Sequence, residues 1–253
     1  MNKHHEVAIV TGGGRPWGVG RATALALARA GMRIVIADIR EDWGAEAASV
    51  VTKETGQPAR YIQTDVSQRA SVAAMVDGAL AVYGRIDVLA NVAAVVGWQR
   101  AEEMTDEHFD RLFNTNVRGI MLTCQAVIPV MRRQGGGRIV NVSSLSSLRP
   151  LEGLSMYGAT KAAVSMYSKD LALEALHDKI IVVTVAPSSL ATAMGMERGP
   201  TQEEIDRQGK ATPIGRALLP DDLAEVIVFA ATSKTPALAG QVLHANGGAY
   251  LVS

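Results

Sequence analysis

The chain has 253 residues, 48% of them hydrophobic, and its 25 acidic residues balance its 25 basic ones. That is apolar material for one large core, while a formal charge of zero gives no electrostatic footing for nucleic acid or a membrane surface. No apolar run reaches the roughly 18 residues of a membrane span, a single cysteine excludes an internal disulfide, and the five scattered histidines lack the carboxylate or cysteine neighbours of a metal site.

The N-terminal MNKHHEV enters a strand at once, leaving no room for a signal peptide. With Cys124 in an apolar helical run, where it reads as core packing, this suits a reducing, cytoplasmic setting. Val7–Val10 reads as a buried first strand. Thr11-Gly12-Gly13-Gly14, Arg15-Pro16-Trp17 and Gly18-Val19-Gly20 follow, then an Ala/Leu-rich helix to about Ala30. A strand, a glycine turn and a helix N-terminus make a pyrophosphate site, because free backbone N–H groups and the helix dipole face the anion. Gly12, Gly14, Gly18, Val19 and Gly20 are its candidate residues.

Arg33–Ala37 is the second apolar run, and Asp38 ends it. An acidic residue about 20 positions beyond the glycines is placed to bind a ribose 2′-hydroxyl, which selects NAD over NADP. Arg15 and Arg40 lie near the same corner. Glu41–Thr55 reads as a polar helix and Arg60–Thr64 as strand three, with Asp65-Val66 after it. Ser71–Tyr83 has helical periodicity, and Gly84 caps it. Ile86–Ala90 is strand four. Asn91 follows, placed to tie strand ends together, and Val95-Val96-Gly97-Trp98 leads over the substrate side, with Trp98 either a pocket wall or simple packing.

Asp106–Gln134 is one long helical stretch with a cap near Thr105. Asn116 falls mid-helix, where a buried amide needs partners. The Gly135-Gly136-Gly137 turn leads into strand five, Arg138–Val142, and to Ser144 at its end. An Ala-rich helix runs from about Met156 to His177. Tyr157 and Lys161 are four residues apart and share one face of it. A phenol has a pKa of about 10, and a cation within ~4–6 Å lowers a pKa by roughly 1–3 units, so this spacing predicts a phenol brought towards the range of general acid–base work. Ser144, thirteen positions before Tyr157, can hold the same substrate oxygen that Tyr157 protonates. Ile180–Val185 is strand six. The polar run Ala193–Ala211, with Met194 and Met196, reads as part of a lid at about 190–212 containing a short helix. Asp221–Thr232 is a helix introduced by Pro220, and Gly240–Ala245 is the last strand.

Strand–helix alternation without a linker predicts one domain over 1–253. Tyr157-Gly158-Ala159-Thr160-Lys161 with Ser144, and the glycine-rich N-terminus, resemble the short-chain dehydrogenase/reductase family over essentially the whole chain. The resemblance implies a single α/β, doubly wound Rossmann-type domain with a parallel sheet of about seven strands. It implies that Asn116 holds a water on a proton path to Lys161, that Lys161 also holds the nicotinamide ribose, and that Asp65 and Val66 approach the adenine. Asn91-Val92-Ala93-Ala94 is similar to the family's N-N-A-G, and Pro187-Ser188-Ser189-Leu190-Ala191-Thr192 to its P-G-x-x-x-T, which implies Asn91, Pro187 and Thr192 near the cofactor. The glycine motif departs from T-G-x-x-x-G-x-G by two extra residues. Relatives pair through the two long helices, which implies a homotetramer.

The reading that follows is an NAD(H)-dependent oxidoreductase interconverting a secondary alcohol and a ketone, with Tyr157 as general acid/base. The pocket candidates Val96, Trp98, Leu145, Leu154, Ser188 and Met194 are mainly apolar, which favours an uncharged small molecule. Arg149 and Arg198 would change that if they pointed inwards. The alternatives are a 3-oxoacyl-carrier-protein reductase, which Asp38 and the zero net charge disfavour, and a non-catalytic dinucleotide sensor or scaffold. A pseudoenzyme would be expected to lack Ser144, Tyr157 or Lys161.

Overall fold

The structure, a computed structural model, describes residues 5–192, 194, 198–210 and 212–251. Met196 and the neighbouring positions 193, 195, 197 and 211 of the expected lid therefore lie outside the described residues. Seven strands form one sheet: β1 (Val7–Thr11), β2 (Arg33–Asp38), β3 (Ala59–Gln63), β4 (Val88–Asn91), β5 (Gly137–Val142), β6 (Ile180–Val185) and β7 (Val242–Leu243). Their order is β3-β2-β1-β4-β5-β6-β7, and each adjacent pair is parallel.

Parallel strands are covered on both faces, so they read as unbroken apolar runs rather than alternating ones. One face packs against α1 (Val19–Arg29), α2 (Glu41–Thr55) and α8 (Pro220–Thr232), through Leu27, Val51 and Ile227 on Ala8, Val10, Ile34 and Ile36. The other packs against α3 (Arg69–Tyr83), α5 (Gly119–Gln134) and α6 (Ser155–Ala175), through Met75, Met131 and Val164 on Ile9, Leu89, Ile139 and Val182. Cys124 is in this second core, and burial pushes its thiol up to about 12, so it is inert packing.

The long helical stretch is not one regular helix. α4 (Asp106–Phe113) gives way to a π-helical turn, Asn114–Arg118, before α5 resumes, and Gly119 N–H donates to Asn114 O across it. Thr105 does cap its start, accepting from His108 N–H. The fourth strand begins at Val88 and not at Ile86, because Ile86 gives its N–H and C=O to the Gln134 side chain. The last strand shrinks to two residues, although Gly240 and Ala245 still donate to Val182 O and Ala186 O.

Strand order reverses between β2 and β4 on either side of β1. In such a sheet, ligands bind outside the carboxyl ends of the strands at that point. Thr11, Asp38, Asn91, Ser144 and Pro187 all sit at or just beyond that edge.

Candidate active site

Tyr157 lies in the first turn of α6 and is buried at 8% exposure. A Cβ on Gly158 would lie 2.9 Å from Ser146 O, so glycine there lets the Leu145–Ser147 turn cross the helix closely. That crossing sets the Ser144 hydroxyl near enough to the Tyr157 phenol to favour its ionised form. Ser144 also accepts from Ser146 N–H, at 3.1 Å. Leu145 N–H donates to Pro187 O at 2.7 Å, which joins the ends of β5 and β6.

Lys161 lies one turn further along, 1% exposed. Its Nζ donates to Val142 O at 3.0 Å and sits 5.7 Å from the Tyr157 ring centroid. Burial alone lowers its pKa to about 8. The effect on Tyr157 reverses the sequence expectation. Burial raises the phenol's pKa, and the Ser144 hydrogen bond pulls it only partly back. Sequence spacing put the ammonium on the same face, but the structure aims it at a strand-end carbonyl.

Asn116 is fully buried and all of its amide is used. Oδ1 accepts from Val95 N–H at 2.8 Å, and Nδ2 donates to Val95 O and Thr160 Oγ1. The side chain thus holds the loop after β4 against α6. Asn91 also has partners that turn it inwards: its Nδ2 donates to Asn141 Oδ1, and its Oδ1 accepts from Thr123 Oγ1. Asn141 continues to Ser168. A satisfied buried network of this kind rigidifies the core. Asn91 therefore ties strands together, and only its backbone is left to face a ligand. Thr11, which sequence reasoning missed, joins the same strand ends by accepting from Val92 and Ala93 N–H.

At the glycine-rich loop, Gly12 has φ +66°, and an added Cβ would lie 2.8 Å from Ala93 Cα. At Gly20 a Cβ would lie 2.1 Å from Gly12 O, so α1 packs onto the loop only with glycine there. Gly18, the N-cap residue of α1, offers no side-chain cap to the first N–H groups of the helix, Val19's among them. An uncapped helix N-terminus behind a glycine cradle fits an anion such as pyrophosphate. Gly14 does not present its N–H to that cradle: it donates to Asp38 Oδ2 at 2.8 Å. Asp38 Oδ1 accepts from Arg40 N–H. A carboxylate has about four acceptor sites, more than these two donors use. Arg21 braces this corner through Gly14 O, Trp43 O and Glu46, a role that no local pattern announces.

The inserted residues make a turn closed by Gly18 N–H on Arg15 O, at 3.2 Å. Trp17 in it has φ +51°, a conformation that costs a non-glycine residue on the order of 1–3 kcal/mol. Asp65 caps its own turn by accepting from Ser67, and Val66 is buried against Gly119, where a Cβ would lie 2.8 Å from Val66 Cγ2.

Of the pocket candidates, Val96 and Leu154 gather round Tyr157 with Leu112 and Val95. Leu145 is buried beside Ser144. Ser188 is turned away, its hydroxyl donating to Asn246 O. Trp98 is 69% exposed and lies against Gly153, at the rim rather than as a buried wall. Met194 is exposed, and its N–H donates to Thr192 Oγ1. Arg198 points to Glu204 and Gly199 O, and Arg149 is exposed, so neither enters the apolar cluster. Among the described residues, no helix is long and apolar enough to cross a membrane, and no group of three His, Cys, Asp or Glu is arranged to hold a metal ion.

The model of the family described as short chain dehydrogenase matches residues 6–203. The chain is 34% identical to "Probable galactose dehydrogenase GalD" of Rhizobium meliloti, over 96% of this chain and 94% of that one. It is also 34% identical to the 3-oxoacyl-[acyl-carrier-protein] reductase FabG of Chlamydia muridarum, over 96% and 97%. Among solved structures, a short chain dehydrogenase from Mycobacterium smegmatis superposes with a TM-score of 0.84 at 26% identity, covering 95% of this chain and 91% of that one.

Proposed function

The chain belongs to the short-chain dehydrogenase family, and on that premise we propose that it is an NAD(H)-dependent oxidoreductase interconverting a secondary alcohol and a ketone. The observation that carries this reading is the convergence of the Ser144 hydroxyl, the Tyr157 phenol and the buried Lys161 ammonium at the carboxyl edge of the sheet. A nicotinamide dinucleotide, when bound, supplies or accepts the hydride. Gly12, Gly18, Val19 and Gly20 would cradle its pyrophosphate, and Asp38 its adenosine ribose. Asp65 and Val66 would flank the adenine, with Pro187 and Thr192 near the carboxamide. Lys161 would hold the nicotinamide ribose.

Ser144 holds the substrate oxygen, and Tyr157 exchanges its proton with that oxygen. Asn116, in its π turn, fixes the loop and helix that flank this proton and would support a path towards Lys161. Val96, Leu145 and Leu154 give the substrate side an apolar lining, which suits an uncharged small molecule. The segment at about 190–212 would cover it, within one domain spanning 1–253. Similarity to FabG supports a second reading, a 3-oxoacyl-carrier-protein reductase. Asp38 and the zero net charge speak against a phosphorylated cofactor and an acidic carrier.

The test is a panel of secondary alcohols and ketones with NAD(H), followed by nicotinamide absorbance at several pH values. Oxidation needs the Tyr157 phenolate as base. Burial has raised that pKa, so the oxidation rate climbs as pH rises and the reduction rate falls. A chemical step flat between about pH 6 and 10 contradicts Tyr157 as the acid/base.

Assembly as a cytoplasmic homotetramer is part of the same proposal. Met166 and Leu173 on α6 and Phe109 on α4 are exposed apolar groups on the stretches through which the family resemblance implies pairing. Sedimentation at micromolar concentration returns a tetramer, and a monomer rejects the assignment.

A further inference from the structure

Arg15-Pro16-Trp17-Gly18 is a four-residue turn closed by a backbone hydrogen bond. Proline fixes its second position at negative φ, and its third, Trp17, is at φ +51°. That combination is a type II turn, whose third position favours glycine. A tryptophan in a glycine slot calls for a contact that offsets the strain, and the structure supplies one. The indole is 63% exposed overall, but one side of it rests on Gly199. A Cβ on Gly199 would lie 2.8 Å from Trp17 Cδ2 and 3.1 Å from Cγ and Cε3. Gly199 itself has no left-handed φ, so glycine there provides room for the ring.

Gly199 is fastened to the next element. Arg198 donates to Gly199 O and, through both Nη atoms, to Glu204. Glu204 also accepts from Thr201 N–H, at the start of α7 (Gln202–Lys210). These hydrogen bonds fasten Gly199, the residue that Trp17 touches, to the start of α7. The contact of Trp17 with Gly199 joins two parts of the chain far apart in sequence: the turn beside the helix N-terminus of the pyrophosphate cradle, and the polar segment beyond β6.

We propose that Trp17 is a positioning residue for the dinucleotide: seated on Gly199, it holds the Arg198–Lys210 segment against the glycine-rich loop, so that the cofactor leaves only when this contact parts. The proposal rests on the reading of that loop as the dinucleotide site. It predicts that cofactor release, more than the chemical step, depends on the two inserted residues.

The experiment measures NADH release by stopped-flow fluorescence, and dinucleotide KM, in the full chain and in Trp17→Gly, Trp17→Phe and Gly199→Ala. Glycine fits φ +51°, so Trp17→Gly keeps the turn and loses the contact. NADH then leaves about tenfold faster, equivalent to ~1.4 kcal/mol, and the dinucleotide KM rises with it more than the carbonyl KM does. Trp17→Phe restores most of the slow release. Gly199→Ala forces the ring away and speeds release in the same direction, and combining it with Trp17→Gly adds nothing further, because both remove one interaction. Parental release rate and KM in Trp17→Gly, or additive effects in the double variant, overturn the proposal. If Trp17→Gly melts early, Gly199→Ala decides alone, and unchanged release in it is fatal. A parent protein that binds neither NADH nor NADPH overturns the cofactor reading itself, and the role of Trp17 with it.

Discussion

Tyr157→Phe lowers turnover by about 10²–10⁴, the range for removing one positioned acid/base, and leaves dinucleotide affinity nearly intact. Phenylalanine keeps the ring that packs with Leu112 and Leu154, so α6 and its neighbours stay in place. What is lost is one hydroxyl, the partner of Ser144 and the only group proposed to exchange a proton with the substrate. The raised phenol pKa sharpens the expectation: a buried neutral phenol is a competent donor for reduction, and the same burial makes oxidation depend on alkaline pH. Turnover and dinucleotide binding are measured on one preparation. Turnover within about threefold of the parent removes Tyr157 from the mechanism, whatever happens to binding.

Much of this was legible because parallel strands are buried on both faces. Ile180–Val185 and Glu41–Thr55 have the bounds that their residue patterns suggest, and Gly84 caps its helix in a left-handed conformation, φ +74°. Ser144, Tyr157 and Lys161 were legible for a different reason. They lie within one strand–turn–helix unit, so spacing alone nearly fixes their proximity. What escaped was decided by contacts between distant segments. Whether Asn91 faces a ligand or Asn141 depends on a neighbouring strand 50 residues away. Gly14 looks like another phosphate donor until β2 brings Asp38 to its N–H. The π turn at Asn114–Arg118 follows no periodicity, and Asn116 within it binds Val95, 21 positions earlier. The direction of the Tyr157 shift differs from the spacing's expectation because four-residue spacing shows neither how deeply the phenol is buried nor the carbonyl that the Lys161 ammonium meets.

Asp38 carries the other large effect. A 2′-phosphate beside its carboxylate would set two anions together at a cost of several kcal/mol, and each ~1.4 kcal/mol is tenfold in affinity. The expected result is that kcat/KM with one substrate favours NAD over NADP by about 10²-fold or more. Arg15 and Arg40 would soften this only by meeting the phosphate, and both stack on Trp43, at 4.4 and 4.1 Å from its ring centroid, while Arg40 also pairs with Asp42 at 2.8 Å. That pairing holds the Asp42 carboxyl down at about 2, and an aspartate is ionised at neutral pH in any case, so Arg40 already faces a full carboxylate there. Asp38→Ser narrows the NAD/NADP gap by removing the repelling charge. It also does something that the ribose role alone would not: it deprives Gly14 and Arg40 N–H of their acceptors. A buried donor left without a partner costs about 1–3 kcal/mol, so the glycine-rich loop loosens and affinity for both dinucleotides falls together. The two contributions separate in the measurement. The ratio of kcat/KM values reports the charge at the ribose, while the common rise in KM reports the loss of the Gly14 anchor. If the ratio does not move while both KM values rise, Asp38 is an anchor only. If the parent prefers NADP, Asp38 does not meet the adenosine ribose at all, and discrimination has to come from Arg15 and Arg40 beside Trp43.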